Sequence, residues 1–294
     1  MKVYVPPIKC QGIKTKLVPL ILANVELSGR GTWHEPFMGS GVVGFNLRPK
    51  RARFSDTNPH LIRFYNAVRT SDITPQTVRE YLEREGAALA REGEVHYYAV
   101  RDRFNRNHEP LDFLFLSRSC FNGMIRFNRN NGFNVPFCRK PQRFSPAYIT
   151  KIVNQVTYVW EAVQLRDWKF ECRPFEEAIQ DASKGDLIYC DPPYLGRHVD
   201  YYNSWGMDDE RRLRASLEKT QARFILSTWH SNRYRRNPAL ETIWAGFNVV
   251  TKEHFYHVGA KETNRNPMLE ALVMNYTPRC IKEETCQPEQ LSCV

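Results

Sequence analysis

The run Asp186-Leu187-Ile188-Tyr189-Cys190-Asp191-Pro192-Pro193-Tyr194 constrains what this chain can fold into more than any other segment. An apolar stretch ends abruptly in an acid, two prolines and an aromatic. The apolar part reads as a buried strand, and the prolines stop it, because proline fixes φ and has no N–H to offer a neighbouring strand. Open α/β sheets bind ligands outside the carboxyl ends of such strands. The cluster therefore predicts a functional edge with a carboxylate at Asp191, a rigid carbonyl at Pro192 and a ring at Tyr194. Those groups suit an amino group on a flat ring: two acceptors take its N–H bonds and favour a pyramidal, more reactive nitrogen, while Tyr194 stacks. A proline-terminated strand followed by an ordinary turn is the plainer alternative at this point.

The rest of the chain supplies the sheet such a strand needs. Strand-like runs at Thr32–Phe37 and Arg51–Asp56 precede a helical pattern over Asn58–Val68, with Leu61, Ile62, Phe64, Tyr65 and Val68 on one face. After Ser71 the character changes. Thr74 and Pro75 suit a helix cap and first turn, and helical patterns follow over Thr77–Arg91, Val95–Phe104 and Leu111–Leu116. Ile125–Cys138 sets Arg126, Asn128, Arg129, Asn130, Asn131 and Gly132 between short apolar stretches, which predicts a β-hairpin with a polar turn. Strand-like runs return at Lys169–Arg173, Asp186–Asp191, Arg223–Thr228, Phe247–Thr251 and Leu269–Tyr276, with a helix over Asp208–Lys219. The simplest architecture is one doubly wound α/β domain, residues 1–70 and 166–280, split by a mostly helical insertion over 71–165 and followed by a polar tail over 281–294.

Three further segments carry chemistry. Glu35-Pro36-Phe37-Met38-Gly39-Ser40-Gly41 follows a short strand, and its glycines allow a tight turn and close approach to a nucleotide-like ligand. Asp56, at the end of the next strand, is placed to accept hydrogen bonds from ribose hydroxyls. A glycine turn between packed elements explains the same residues almost as well. Val5-Pro6-Pro7-Ile8-Lys9-Cys10-Gln11-Gly12-Ile13-Lys14-Thr15-Lys16 sets lysines around a rigid Pro-Pro, suited to a carboxylate or phosphate, although read alone the segment is better taken as a solvated basic tail. The Asn and Arg side chains of the hairpin can meet base edges or phosphates. His254 and His257 lack the glutamate of an H-E-x-x-H site, so no metal is expected.

Charge agrees with a polyanionic partner. Lys and Arg number 42 against 32 acidic residues, a formal charge of +10 that would attract nucleic acid without naming it. The eight cysteines are scattered with no C-x-x-C pair, which predicts reduced thiols. No signal-peptide pattern or spanning apolar stretch is found, so a cytoplasmic protein with no membrane partner is expected.

Taken together, Pro6-Pro7-Ile8-Lys9, Gly12-Ile13-Lys14-Thr15-Lys16-Leu17, Glu35 to Gly39, Asp56-Thr57-Asn58-Pro59-His60, Ser119-Cys120-Phe121-Asn122-Gly123, Gly132 to Phe137 and Asp191 to Tyr194 resemble the Dam-like, D12 class, family of DNA adenine-N6 methyltransferases. The resemblance runs from about Val3 to Tyr276. It implies a Rossmann-like S-adenosylmethionine-dependent methyltransferase core with an inserted, mainly helical DNA-recognition domain bearing a β-hairpin. It assigns S-adenosylmethionine to Cys10, Lys14, Glu35, Pro36, Phe37, Gly39, Gly41, Asp56, Phe175 and Asp191, and the target adenine to Asp191, Pro192, Pro193 and Tyr194. Cys10 stands where the Dam enzymes carry tryptophan, which leaves its backbone as the cofactor contact. Lys9 matches a lysine that helps read the first guanine of the target, and Asn122, Arg126, Asn128, Phe133, Asn134, Pro136 and Arg139 lie where the hairpin meets DNA.

The activity so implied is direct in-line methyl transfer to adenine N6 in double-stranded DNA on a flipped-out base, with no metal and no covalent enzyme intermediate. The expected site is GATATC, as in a type II restriction–modification system, with GATC of a Dam-like orphan enzyme as the alternative. A monomer is expected, with a cognate endonuclease that shares the site without a stable complex. RNA adenine or cytosine N4 methylation, a basic DNA-binding module without activity and a nicotinamide dehydrogenase are the competing readings.

Overall fold

A computed structural model of the chain describes residues 1–8, 10–195, 205–255 and 267–279. Its seven strands are β1 (Trp33–Glu35), β2 (Arg51–Asp56), β3 (Asp167–Cys172), β4 (Leu187–Cys190), β5 (Arg223–Asn232), β6 (Asn248–Phe255) and β7 (Pro267–Met274). They form one sheet in the order β3-β2-β1-β4-β5-β7-β6. The pairs from β3 through β5 are parallel, and β7 runs antiparallel to both β5 and β6. The order reverses between β1 and β4: β2 and β3 extend one way from β1, and β5 extends the other way from β4. That is the topological switch point at which doubly wound sheets open a ligand crevice.

Alternation along β4 shows why the sheet is covered on both faces. All four of its residues are buried. Leu187 and Tyr189 join one hydrophobic cluster, while Ile188 and Cys190 join another on the opposite face. Side chains two apart share a face of a strand, so a continuous apolar run marks a strand packed on both sides.

The helices are α1 (Val18–Ala23), α2 (Val42–Leu47), α3 (Pro59–Thr70), α4 (Pro75–Glu92), α5 (Glu94–Asn107), α6 (Pro110–Ser119), α7 (Pro146–Leu165), α8 (Phe175–Gln180), α9 (Met207–Glu218) and α10 (Pro238–Thr242). Local chemistry sets the starts of several. Asn58 caps α3 by accepting the N–H groups of His60 and Leu61, with Pro59 in the first turn. Thr74 and Thr77 form a reciprocal capping box around Pro75, the first residue of α4.

The helical stretch from α4 to α7 lies between the α3 and β3 positions in sequence. Its packing is continuous with the sheet: Ile152, Val156 and Val159 of α7 and Phe113 and Phe115 of α6 share one buried cluster with Phe45, Phe54 and Trp168. Burying each such large apolar side chain is worth roughly 1.5–3 kcal/mol, so the helices and the sheet support each other.

The expected hairpin takes a looser form. It is held by isolated antiparallel bridges, Cys120 to Phe137 and Phe127 to Phe133, and has no continuous ladder. The reason lies in α5. Asn105 accepts the Phe133 N–H at 2.8 Å and donates to its carbonyl at 3.2 Å, and the Tyr97 hydroxyl donates to the Val135 carbonyl at 2.8 Å. Helix side chains thus take backbone groups that a partner strand would otherwise satisfy. Residues 281–294 and Lys9 lie outside the described residues.

Candidate active site

β1 and β4 are neighbours, with Trp33 opposite Leu187 and His34 opposite Ile188, so the chain leaves both strands side by side. Glu35-Pro36-Phe37 and Asp191-Pro192-Pro193-Tyr194 therefore meet at the switch point. The N-terminal segment completes the edge. Lys14 is buried, and its Nζ lies 2.8 Å from Asp191 Oδ1, donates to the Gly12 carbonyl at 3.0 Å and stands 4.7 Å from the Tyr194 ring centroid. Burial pushes the Asp191 carboxyl above its ordinary range, and the Lys14 ammonium pulls it back. The carboxylate is kept available as an acceptor by one buried cation.

Tyr194 is pinned at its far end. Its hydroxyl donates to the carboxylate of Glu270 on β7, and its ring packs with Trp229 and Met268. Glu270 is 1% exposed. Sequence reasoning did not single it out, although an acid in the middle of the apolar strand β7 was a visible signal. Arg118, on α6, was missed in the same way. This buried guanidinium donates from Nε to the Pro7 carbonyl at 2.7 Å and reaches Gln155 Oε1 at 2.5 Å. It anchors the Pro-Pro segment from which Cys10 and Lys14 follow.

The glycine turn depends on its conformation. Gly41 has φ of 70°, and a Cβ there would sit 2.7 Å from the Phe45 ring. Asp56 closes the turn: one carboxylate oxygen accepts the Gly39 N–H and the other the Asn58 N–H, each at 2.9 Å. Burial raises its pKa and these backbone donors oppose the rise. Glu35 is equally internal. It accepts from Trp33 Nε1 at 2.9 Å and the Gly44 N–H at 3.0 Å, and burial pushes its carboxyl up to about 8. The free Cys10 thiol is pushed up by burial and by the nearby Asp56 carboxylate.

Above the turn opens a cavity of about 450 Å³, lined among others by Pro36, Phe37, Asp56, Phe175 and Pro193. Phe37 and Phe175 stack with centroids 5.1 Å apart, and the Trp205 ring meets Phe37 edge-on at 5.5 Å. Trp205 is held by its Nε1–H on Glu210. Thr57, Pro174, Glu176, Trp205, Asp209 and Arg212 also line this cavity and were not anticipated. They come from the ends of strands and the first turns of α8 and α9, and only the sheet brings them to one place.

Helix α3 links this crevice to the hairpin. His60, in its first turn, stacks on Phe127 with centroids 4.8 Å apart. Of the hairpin residues expected at DNA, Asn122, Asn128, Pro136 and Arg139 are exposed, and Arg126 and Asn134 are partly so. Arg126 and Asn134 bind each other, Nε to Oδ1 at 2.8 Å, and the Asn128 side chain accepts the N–H groups of Asn130 and Gly132 to shape the tip. Phe133 corrects the expectation. It is 1% exposed and packs against Phe104 and Phe127, so its ring fastens the hairpin to α5 and does not face a ligand. Phe121, 50% exposed beside Asn122, is the aromatic this surface does present.

Residues 11–258 match the model of the D12 class N6 adenine-specific DNA methyltransferase family. The chain belongs to that family. Among its relatives, a DNA adenine methylase of Haemophilus influenzae is 32% identical over 69% of this chain and 71% of its own length. The type II methyltransferase M.MjaIII of Methanocaldococcus jannaschii is 27% identical, with 92% of this chain and 99% of the relative covered. The type II methyltransferase M.FokI of Planomicrobium okeanokoites is 28% identical over 92% of this chain, which spans only 43% of that longer protein. Membership of this methyltransferase family implies S-adenosylmethionine as the methyl donor, and among the described residues no helix is long and apolar enough to cross a membrane.

Proposed function

We propose that the chain transfers a methyl group from S-adenosylmethionine directly and in line to N6 of a flipped-out adenine in double-stranded DNA. The observation that carries this reading is the ion pair of buried Lys14 with half-buried Asp191 beside Tyr194 at the switch point, next to an aromatic cavity of nucleoside size. S-adenosylmethionine, when bound, supplies a methyl group already made electrophilic by its sulfonium. The residues present fit it: Phe37 and Phe175 offer apolar faces to a base, Asp56 retains acceptor capacity for ribose hydroxyls, and Glu35, Gly39, Gly41 and the Cys10 backbone frame the turn beneath.

The enzyme's part is positioning and hydrogen-bond acceptance. Asp191 and the Pro192 carbonyl take the two N–H bonds of the adenine amino group, which localises the nitrogen lone pair toward the incoming methyl. Pro193 stiffens the segment, and the ring of Tyr194, fixed by Glu270, supports the base. A base must leave the helix to reach such a pocket, and its stacking there offsets an unstacking cost of a few kcal/mol.

Sequence recognition belongs to Lys9 and to the exposed or half-exposed hairpin residues Asn122, Arg126, Asn128, Asn134, Pro136 and Arg139. We assign GATATC as the target, in the manner of a type II enzyme with an endonuclease acting on the same site, and GATC as the alternative. Mapping methylated adenines on genomic DNA treated with the protein decides between them. Methylation at every GATC supports the Dam-like alternative, and methylation confined to GATATC supports the first assignment. N4-methylcytosine in place of N6-methyladenine would overturn the adenine reading.

A further inference from the structure

A second cluster faces the same edge of the sheet and has no part in the chemistry above. Strand β5 ends at Asn232 and is followed by Arg233, Tyr234, Arg235 and Arg236, all exposed, before α10 begins. The turn is built. Asn232 Oδ1 accepts the N–H groups of Tyr234 and Arg235 at 2.9 and 3.0 Å, and the Asn232 N–H donates to the Arg235 carbonyl at 2.9 Å. Ser231 and Arg236 form an antiparallel bridge. Asn237, 2% exposed, donates from Nδ2 to the Trp229 carbonyl at 2.9 Å and closes the far side. Three guanidinium groups within four residues repel each other, and Tyr234 leaves 73% of its surface in solvent. Arg236 reaches Glu241 only at 4.0 Å, with both side chains exposed.

The turn's place in the fold gives the cluster meaning. Because β5 is parallel to β4 and adjacent to it, Arg233–Arg236 emerge on the same carboxyl edge as Asp191. Arg235 lies 5.0 Å from the ring of Trp229, and Trp229 packs with Tyr194. Along that edge the order is β2, β1, β4, β5, so the hairpin stacked on His60 after β2 and the arginine turn after β5 flank the catalytic motif.

We propose that the Arg233–Arg236 turn is a second DNA-contacting element, which grips the phosphate backbone on the side of the target base away from the hairpin. The inference rests on the reading of the chain as a DNA methyltransferase. Guanidinium groups suit phosphate oxygens through paired N–H donors, and contacts to phosphate fix position on the duplex without reading sequence. A base extruded between two anchored stretches of backbone is held from both sides.

The test is duplex binding and methylation kinetics against salt for the full chain and its Arg233→Gln/Arg236→Gln variant, which spares Arg235 and its support of Trp229. The salt slope of log affinity should fall by about 1–2, as for one or two lost phosphate contacts, with KM for DNA up roughly tenfold. kcat, affinity for S-adenosylmethionine and the preference for cognate over non-cognate sites should stay as in the parent. The Arg233→Lys/Arg236→Lys variant should restore most of the slope. A parent that methylates DNA together with a Gln variant of unchanged slope and KM would overturn the role of the turn. A parent that transfers no methyl to DNA would overturn the reading beneath it as well.

Discussion

A half-buried carboxylate that must act as a hydrogen-bond acceptor needs a counter-charge, and Asp191 has Lys14 at 2.8 Å. Burial raises the pKa of Asp191 and Lys14 lowers it. Removing the cation therefore raises the pKa further. Activity that requires the ionised form is present above that pKa and lost as pH falls through it, so the acid limb of kcat/KM should move to higher pH in Lys14→Met. An acid limb unmoved, measured across pH with saturating S-adenosylmethionine, would mean that Lys14 does not tune this group. At this scale the Asp191 cluster and Asp56 stood out in the sequence because each terminates a strand in a recognisable pattern, whereas Lys14, in the segment ahead of α1, was singled out only by the family resemblance. Glu270 and Arg118 were not, since their meaning comes from partners 76 and 111 residues away. Phe133 was misjudged for a related reason: an aromatic between polar residues looks exposed until α5 is placed beneath it.

The hairpin is the element whose order depends most on a neighbour. Its backbone leans on Asn105 and Tyr97, and its apolar fastening is the ring of Phe133 against Phe104 and Phe127. Phe133→Ala should cost about 3–5 kcal/mol in urea unfolding, the range for emptying a buried aromatic site. It should also weaken DNA binding while S-adenosylmethionine binding stays near that of the parent. A loss below about 1 kcal/mol would show that the ring is not an anchor. Where a helix was expected its position was legible to within a few residues, because caps and apolar periodicity are local: the expected helix over Thr77–Arg91 is α4, Pro75–Glu92, and that over Asp208–Lys219 is α9, Met207–Glu218, whereas α7, Pro146–Leu165, was not expected. The bridged form of the hairpin was not legible, because it is set by side chains of a different element.

For the whole molecule, strand content could be read from the sequence but strand order could not. Nothing local says that β4 lies beside β1, or that β7 inserts antiparallel between β5 and β6. That order is what gathers Lys14, Phe37, Asp56, Phe175, Asp191 and Tyr194 at one edge, and what sets the hairpin and the arginine turn on either side of it. Methylation of adenine in duplex DNA at this edge is tested most directly by transfer of labelled methyl from S-adenosylmethionine to duplex DNA, followed by nucleoside analysis, for the parent and for Asp191→Ala. Adenine methylation through Asp191 requires N6-methyladenine as the labelled nucleoside, with the rate down by about 100-fold or more in the variant, the order of loss seen when one charge-stabilising hydrogen-bond group is removed from an active site. Label in cytosine, no label in DNA, or an Asp191→Ala variant as fast as the parent would contradict it.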